Sequence, residues 1–193
     1  MAVDLKAMAA AVNWPHVSLT DAHQDGATEG WIVEAVCALL KATGGHPTVL
    51  ETGSFIGTTS AWLALTLERM GGGTLMACDI DLARATAVRQ RLAGLGLDKC
   101  QWTVETEDVL RVIHELAPET LDFVWVDDDH QKHHVKQELG ALWPKLRPGA
   151  IVCFHDVWGV CDLQSVVREW GGVALDFPRL GPAGGLGILQ KPL

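Results

Sequence analysis

The stretch that decides the fold is P-T-V-L-E-T-G-S-F-I-G-T-T-S-A-W-L-A-L, which runs from Pro47 to Leu65. It opens with a short apolar run at residues 48–50, which predicts a strand, and it ends in Ala, Leu and Trp, which predict a helix. Gly53 and Gly57 predict a turn between them, and Gly53 lets a ligand approach the backbone closely. The start of the helix favours a negatively charged group, whereas Glu51 suits a ligand with a positive centre.

Length and composition indicate one globular domain. The 193 residues are 48% hydrophobic and 20% charged, which argues against disorder, and no apolar run is long enough to cross a bilayer. The five cysteines form no C-x-x-C pair, so we expect reduced packing residues. The N-terminus has no basic region followed by an apolar core, which predicts a cytoplasmic protein. The net charge of -9 disfavours nucleic acid and favours a small-molecule substrate.

Strand and helix patterns alternate through the rest of the chain. Helices are predicted at residues 29–43, 82–95 and 109–116, and a further helix is predicted to end near Trp143. Strands are predicted at residues 74–78, 101–104, 121–126 and 150–154. The continuous apolar run at residues 121–126 suits a strand that is covered on both faces. This alternation predicts a doubly wound α/β protein with a mostly parallel sheet and ligands at the carboxyl ends of its strands.

The two ends of the chain carry distinct predictions. After a helix predicted at residues 157–170, strands at 173–177 and 186–190 are separated only by a turn, which predicts a C-terminal antiparallel hairpin and seven strands in all. Residues 3–12 predict a helix that ends before Pro15. This helix, within residues 1–26, can cover the ligand site as a cap or mediate self-association, for example as a homodimer; the sequence leaves both open.

The order Glu51-x-Gly53-x-x-x-Gly57 resembles the first motif of class I S-adenosylmethionine-dependent methyltransferases. A nicotinamide-binding turn more often reads G-x-G-x-x-G, and a nicotinamide oxidoreductase would leave the terminal hairpin unexplained. The stretches F-V-W-V-D-D-D-H at 123–130 and L-R-P-G-A-I-V-C-F-H-D at 146–156 resemble a subfamily, similar to methyltransferase family 24, that includes metal-dependent O-methyltransferases acting on sugar or phenolic hydroxyls. The resemblance spans residues 48–156 and implies one Rossmann-like methyltransferase domain over residues 1–193.

The resemblance implies that the glycine turn holds the methionine end of S-adenosylmethionine. Asp79 follows the second strand at the spacing of an acid that accepts hydrogen bonds from ribose hydroxyls, a feature that nicotinamide proteins share. Glu107 or Asp108 is implied at the adenine amino group, although acids at a helix start also suit the helix dipole. The expected cofactor-binding residues are Glu51, Gly53, Ser54, Gly57, Thr58, Asp79, Ile80, Glu107, Asp108 and Asp127.

A divalent metal, Mg²⁺ or another, is expected at Asp127, His155 and Asp156. These residues follow neighbouring predicted strands, and carboxylates with an imidazole can ligate such an ion. In the resembled subfamily the matching positions lie at the metal. The metal would lower the pKa of a substrate hydroxyl, and His130 would accept the proton as general base. One alternative is that Asp128, Asp129 and His130 only begin a helix while His155 and Asp156 cap a loop. Another is a metal-independent methyltransferase in which Asp127 and His130 contact substrate or cofactor.

A zinc site built from His130, His133 and His134 is not favoured by the sequence. Positions three and four apart share a helix face, but no cysteine or second His-x-x-x-His completes a tetrahedral set. The neighbouring Lys132 and Gln137 are typical of a solvated helix face. We therefore expect methyl transfer to a small-molecule hydroxyl, with a nicotinamide-dependent oxidoreductase and a non-catalytic cofactor-binding protein of the same fold as the other candidates.

Overall fold

The computed structural model describes residues 30–158, 162–175 and 184–193, so the helix predicted at residues 3–12 lies outside the described part. The helices are α1 (Gly30–Thr43), α2 (Thr58–Met70), α3 (Leu82–Ala93), α4 (Val109–Glu115), α5 (Lys132–Leu142) and α6 (Leu163–Glu169). The strands are β1 (Thr48–Thr52), β2 (Gly73–Cys78), β3 (Cys100–Glu105), β4 (Leu121–Val126), β5 (Leu146–His155), β6 (Val173–Leu175) and β7 (Leu186–Gln190). Among the described residues, no helix combines the length and apolarity needed to cross a membrane.

The seven strands form one sheet in the order β3-β2-β1-β4-β5-β7-β6. Strands β1 to β5 pair in parallel, and β7 is antiparallel to both β5 and β6. The mostly parallel sheet with C-terminal antiparallel pairing is therefore confirmed. The strand order reverses between β1 and β4, and doubly wound sheets bind ligands in the crevice at such a reversal. The carboxyl ends of β1 and β4 are accordingly the place for a site.

The central strand β4 is buried on both faces, as its continuous apolar run predicts. Phe123 and Trp125 pack on one side against residues of α1, α2 and α3. Val124 and Val126 point to the other side and pack with α4, α5 and α6. Because successive side chains of a strand alternate between faces, these apolar residues join two separate cores. The polar residues that come directly after β4 are thereby fixed at one edge of a rigid sheet.

Two boundaries differ from the prediction by four residues or more. The helix predicted from residue 157 begins at Leu163 instead, and Val157 is a buried non-helical residue whose carbonyl accepts a hydrogen bond from Gln164 N at 2.8 Å. Strand β5 begins at Leu146 rather than at residue 150, since Leu146 pairs with Leu121 before the register shifts. Pro148 lies within this irregular stretch, where a missing backbone N–H is tolerated.

Candidate functional site

The glycine turn after β1 packs directly beneath the end of β4. Gly53 has φ +73°, and a Cβ on it would lie 2.3 Å from the Asp127 carbonyl oxygen. The N–H groups of Gly53 and Ser54 both donate to the Cys78 carbonyl at 3.0 Å, which ties the turn to the end of β2. The side of Gly53 on which a Cβ would project is thus occupied by the backbone of the loop after β4, and Gly53 also lines the cleft described below. A glycine is therefore required at this position for the turn after β1 and the loop after β4 to pack together.

Gly57 serves the next contact along the turn. It has φ +79°, and an added Cβ would lie 3.2 Å from Val88 Cα on α3. Its N–H donates to the Ser54 carbonyl at 2.8 Å, and its own carbonyl accepts from Ala61 N at 3.0 Å, which begins α2. The second glycine therefore allows α2 and α3 to approach each other closely.

Glu51 lies under the turn and is 1% exposed. Its Oε2 accepts a hydrogen bond from the Ser60 hydroxyl. Burial, with smaller contributions from the charges of Asp127 and Asp79, raises the pKa of Glu51 to about 8 against the lowering effect of the Ser60 hydrogen bond. At neutral pH the folded chain therefore holds Glu51 mainly as the neutral acid.

Replacing Glu51 with glutamine is expected to remove a pH dependence of stability. Between the ordinary value of 4.5 and the folded value of about 8, the folded chain keeps a proton that the unfolded chain has released, so stability falls as pH rises. From about pH 5.5 to about pH 8 the wild type should lose about 3 kcal/mol through this group. Urea denaturation at both pH values measures the loss, which should be absent in Glu51→Gln.

The matched control for this change is Glu115→Gln, which makes the same substitution at an exposed position of α4. It should keep the full pH dependence of the wild type. Equal pH dependence in the wild type and in Glu51→Gln would show that the Glu51 carboxyl is ionised in the folded chain.

Asp79 is held in place by backbone donors at the end of β2. Its Oδ2 accepts from Phe55 N at 2.9 Å and its Oδ1 accepts from Asp81 N at 2.9 Å. Asp81 in turn caps α3 by accepting from Arg84 N at 3.0 Å. Each carboxylate oxygen retains acceptor capacity beyond one hydrogen bond, so Asp79 can still accept from ligand hydroxyls.

A cleft of about 690 Å³ opens at the carboxyl ends of the parallel strands. Its size is typical of small-molecule sites. Six of the ten predicted cofactor-binding residues line it: Gly53, Asp79, Ile80, Glu107, Asp108 and Asp127. The other four lie in and beneath the glycine turn and do not line the cleft: Glu51, Ser54, Gly57 and Thr58. His130, His155 and Asp156 line the same cleft, so the predicted cofactor and metal residues share one space.

Glu107 and Asp108 lie at the cleft and also begin α4. Asp108 caps this helix by accepting from Leu110 N at 2.8 Å, and Glu107 forms an ion pair with Arg111 at 3.1 Å. The helix-start role left open by the sequence is therefore present in the structure. A contact of either acid with adenine stays a prediction.

The acid and histidine residues after β4 and β5 converge in the cleft. His155 Nδ1 lies 3.0 Å from Asp127 Oδ1 and 3.6 Å from Asp156 Oδ2. His130 Nε2 lies 3.5 Å from Asp127 Oδ1 and 3.9 Å from Asp156 Oδ2, distances that are long for a charged hydrogen bond. Asp156 has φ +48°, a strained backbone conformation for a residue other than glycine. These four side chains are named the Asp127 cluster below.

The Asp127 cluster shifts the protonation of its own members. Burial alone would raise the pKa of Asp127, but the His155 and His130 imidazoles outweigh it and hold that pKa below its usual range. Asp127 raises the pKa of His130, partly against the effect of burial, and Asp156 contributes in the same direction. The cluster thus pairs an ionised carboxylate with a strengthened imidazole base.

The donor atoms of the Asp127 cluster fit a divalent cation. One ligand atom from each of Asp127, His130 and His155 lies within 4.8 Å of the other two. Carboxylate and imidazole donors in such proximity suit Mg²⁺, Mn²⁺ or Zn²⁺ in differing degrees. His130 belongs to this group of three, whereas Asp156, which the sequence analysis placed at the metal, borders it through the contacts given above.

Several residues that line the cleft are not among the predicted cofactor-binding, metal or catalytic residues: Phe55, Cys78, Arg84, Val109, Asp128, Asp129 and His134. The Arg84 guanidinium lies over the Phe55 ring, 4.9 Å from its centre. Both residues are close in sequence to predicted site residues, which is the one signal that could have found them.

His134 departs from the solvated helix face predicted for its neighbours. Lys132, His133 and Gln137 are exposed as predicted. In contrast, the His134 side chain is 18% exposed, and its Nε2 lies 2.8 Å from Asp128 Oδ2. Because α5 begins only at Lys132, His134 falls in the first turn of the helix, beside the loop after β4.

Comparison with known proteins identifies relatives at the level of family and fold. The profile of a family described as a methyltransferase domain matches residues 50–157, more than half of the chain. A search of curated proteins finds no match. Among solved structures, a protein of Klebsiella pneumoniae assigned as an O-methyltransferase is 18% identical, with a TM-score of 0.69 over 97% of this chain and 96% of that chain.

Two further solved structures show the same fold. The O-methyltransferase TomG from Streptomyces achromogenes, involved in tomaymycin synthesis and solved in complex with SAM, is 19% identical, with a TM-score of 0.63 over 98% of this chain and 96% of that chain. An rRNA methylase from Streptococcus thermophilus is 13% identical, with a TM-score of 0.62 over 84% of this chain and 97% of that chain. At these identities the similarity establishes the fold, and the acceptor has to be argued from the cleft.

Proposed function

Because this chain belongs to the methyltransferase-domain family, we propose that it transfers the methyl group of S-adenosylmethionine to a hydroxyl group of a small molecule. The observation that carries the proposal is the single cleft, in which the predicted ribose acid Asp79 and the Asp127 cluster face the same space. A cofactor bound at Asp79 would present its methyl group near the Asp127 cluster.

The charges of the cleft support a cationic cofactor and a small acceptor. Seven carboxylates line it, from Asp79, Glu107, Asp108, Asp127, Asp128, Asp129 and Asp156. Such a surface attracts the sulfonium and ammonium groups of S-adenosylmethionine and repels the phosphates of a nucleic acid. Two structural relatives bear the name O-methyltransferase, and one of them was solved with SAM. Because one structural relative is an rRNA methylase, RNA is the competing acceptor that the experiment has to include.

A divalent ion would be held by Asp127, His155 and Asp156, with His130 close to the same point. Such an ion acts as a Lewis acid that lowers the pKa of a substrate hydroxyl. The residues of the chain orient the acceptor beside the cofactor, and Asp127 keeps the two imidazoles in place through the contacts at 3.0 and 3.5 Å. Without an ion, the same residues would contact the acceptor directly, as a metal-independent methyltransferase requires.

His130 would accept the proton of the acceptor hydroxyl. Its side chain lines the cleft and is 28% exposed, and Asp127 raises its pKa. A stronger base takes the hydroxyl proton more readily, provided that the imidazole is neutral when the substrate binds. Asp127 and Asp156 would then stabilise the imidazolium that forms.

Changing Asp79 to asparagine is expected to weaken cofactor binding by about 10- to 100-fold, because a hydrogen bond to a charged acceptor contributes about 1.5–3 kcal/mol. Calorimetric titration with S-adenosylhomocysteine measures the loss without turnover. Asp98→Asn, an exposed acid outside the cleft, is the control and should bind like the wild type. Equal affinities in all three proteins would remove Asp79 from the cofactor site.

The proposed reaction is tested with a panel of acceptors. S-adenosylmethionine is incubated with the protein and with catechols, sugars, amines and a short RNA, with magnesium and after chelation, and products are detected by mass spectrometry. A methylated hydroxyl compound is the expected product, and its loss on chelation would support the metal. Methylation of the RNA or of amines alone would contradict the proposal. Absence of turnover with intact cofactor binding would favour a non-catalytic protein.

A further inference from the structure

Glu138 is a fully buried carboxyl group on α5, outside the Asp127 cluster. It is 0% exposed, and it lies on the inner face of the helix with Val135, Leu139 and Leu142. Among the described residues its carboxylate oxygens make no well-aligned hydrogen bond, and Thr52 and Asp128 are the side chains that approach it. Burying a carboxyl group without well-formed hydrogen bonds costs free energy. Such groups are usually hydrogen-bonded to a water molecule or bound to an ion.

The nearest polar groups to Glu138 are also incompletely satisfied. Asp128 Oδ1 and Thr52 Oγ1 are likewise buried and, within the described ranges, make no well-aligned hydrogen bond, although both side chains approach Glu138. Asp128 Oδ2 lies 2.8 Å from His134 Nε2. One ligand atom from each of Asp128, His134 and Glu138 lies within 4.8 Å of the other two. Poorly satisfied oxygen atoms of Glu138 and Asp128 thus lie close to the His134 imidazole.

The charges in this region favour a cation. Burial raises the pKa of Glu138, and the charge of Asp128 raises it further. Burial also raises the pKa of the Cys78 thiol, and Glu138 and Asp128 add to that rise. Two carboxyl groups are therefore held close together in a buried space, where a divalent ion would offset their mutual repulsion.

We propose that Asp128, His134 and Glu138 form a second divalent-cation site, separate from the Asp127 cluster. One imidazole nitrogen and two carboxylate oxygens are donors that suit Zn²⁺, with water completing the coordination. Asp128 and His134 line the cleft, so an ion can enter from there. The ion would tie α5 to the loop after β4, which carries Asp127. This inference is independent of the methyl acceptor.

The competing explanation is a neutral Glu138 that donates a proton to a neighbouring oxygen. The two explanations predict different results for Glu138→Gln, since glutamine keeps the shape and the donor of the neutral acid but is a poor metal ligand. With a neutral acid the substitution should leave both stability and metal response unchanged. With a metal site it should remove the zinc equivalent bound at this site and the stabilisation that this equivalent provides.

The test is calorimetric titration of the chelated full-length chain with Zn²⁺, together with melting temperatures with and without Zn²⁺. The wild type should bind one more equivalent than His134→Gln or Glu138→Gln, or bind it at least about tenfold more tightly. His133→Gln, an exposed neighbour on the same helix, should behave as the wild type. Asp156→Ala, at the Asp127 cluster, should retain the equivalent that the other two variants lose.

Zinc should also raise the melting temperature of the wild type more than that of the two variants, because binding to the folded state alone is stabilising. If Glu138→Gln does not fold, His134→Gln, at a partly exposed position, decides the question. Zinc binding that is the same in stoichiometry and affinity in the wild type and His134→Gln would overturn the second site, as would a wild type that loses its only equivalent through Asp156→Ala.

Discussion

Gly53→Ala is expected to destabilise the chain by about 4 kcal/mol or more and to abolish cofactor binding. The methyl group would lie 2.3 Å from the Asp127 carbonyl oxygen and 2.6 Å from Asp128 Cα, both of them backbone atoms. Neither can move without separating the turn from the end of β4, where Asp127 N donates to the Thr52 carbonyl at 3.1 Å. Urea denaturation followed by circular dichroism measures the loss.

Gly44 provides a matched control for this prediction. Its φ of +72° is nearly that of Gly53 at +73°, but an added Cβ would meet nothing within 4 Å. Gly44→Ala therefore carries the cost of the left-handed conformation alone, about 1 kcal/mol. A cost for Gly53→Ala as small as that for Gly44→Ala would show that the loop after β4 does not lie against the turn.

His130→Ala is expected to lower kcat by about 100- to 10,000-fold, the usual contribution of a general base. The affinity for S-adenosylhomocysteine should change little, because in the proposed complex the turn and Asp79, rather than His130, hold the cofactor. His133→Ala, which changes an exposed histidine of the same segment, should keep full turnover. Assays at saturating magnesium separate loss of the base from weaker binding of an ion.

The pH dependence of the wild type provides a second readout for His130. Asp127 raises the pKa of His130 above its ordinary 6.5, so the neutral form that acts as base is lost as pH falls through that raised value. In the wild type, kcat should therefore fall on the acidic side with an apparent pKa above 6.5. His130→Ala should lack this acidic limb. A wild-type limb that persists unchanged in His130→Ala would assign the base to another residue.

The sheet could be predicted from the sequence because its strands are apolar runs bounded by polar residues or glycine. Strands β4 and β7 begin and end at the residues predicted. The convergence of Asp127, His155 and Asp156 also follows from the pattern, since residues directly after parallel strands meet at one edge of the sheet. The alternation of strands and helices, together with the ends of the predicted strands, is enough to place these three residues close together.

The features that could not be predicted depend on contacts between distant segments. The close approach at Gly53 comes from residues more than seventy positions along the chain, and no local pattern reports it. The sequence does not distinguish Glu138 from an exposed helix acid, because only the packing of α5 shows that its side chain is buried in the core. His134 and His133 are adjacent in sequence, but only the start of α5 at Lys132 decides which of them faces the cleft.

Calorimetric titration of the purified chain with S-adenosylmethionine, S-adenosylhomocysteine and NAD, each with and without magnesium after chelation, tests the central claim most directly. Saturable binding of both adenosyl ligands and no binding of NAD is the expected result. Binding of NAD without binding of either adenosyl ligand would contradict the account, because the cleft would then hold a dinucleotide. Failure of all three ligands to bind a folded, ligand-free protein would contradict it as well.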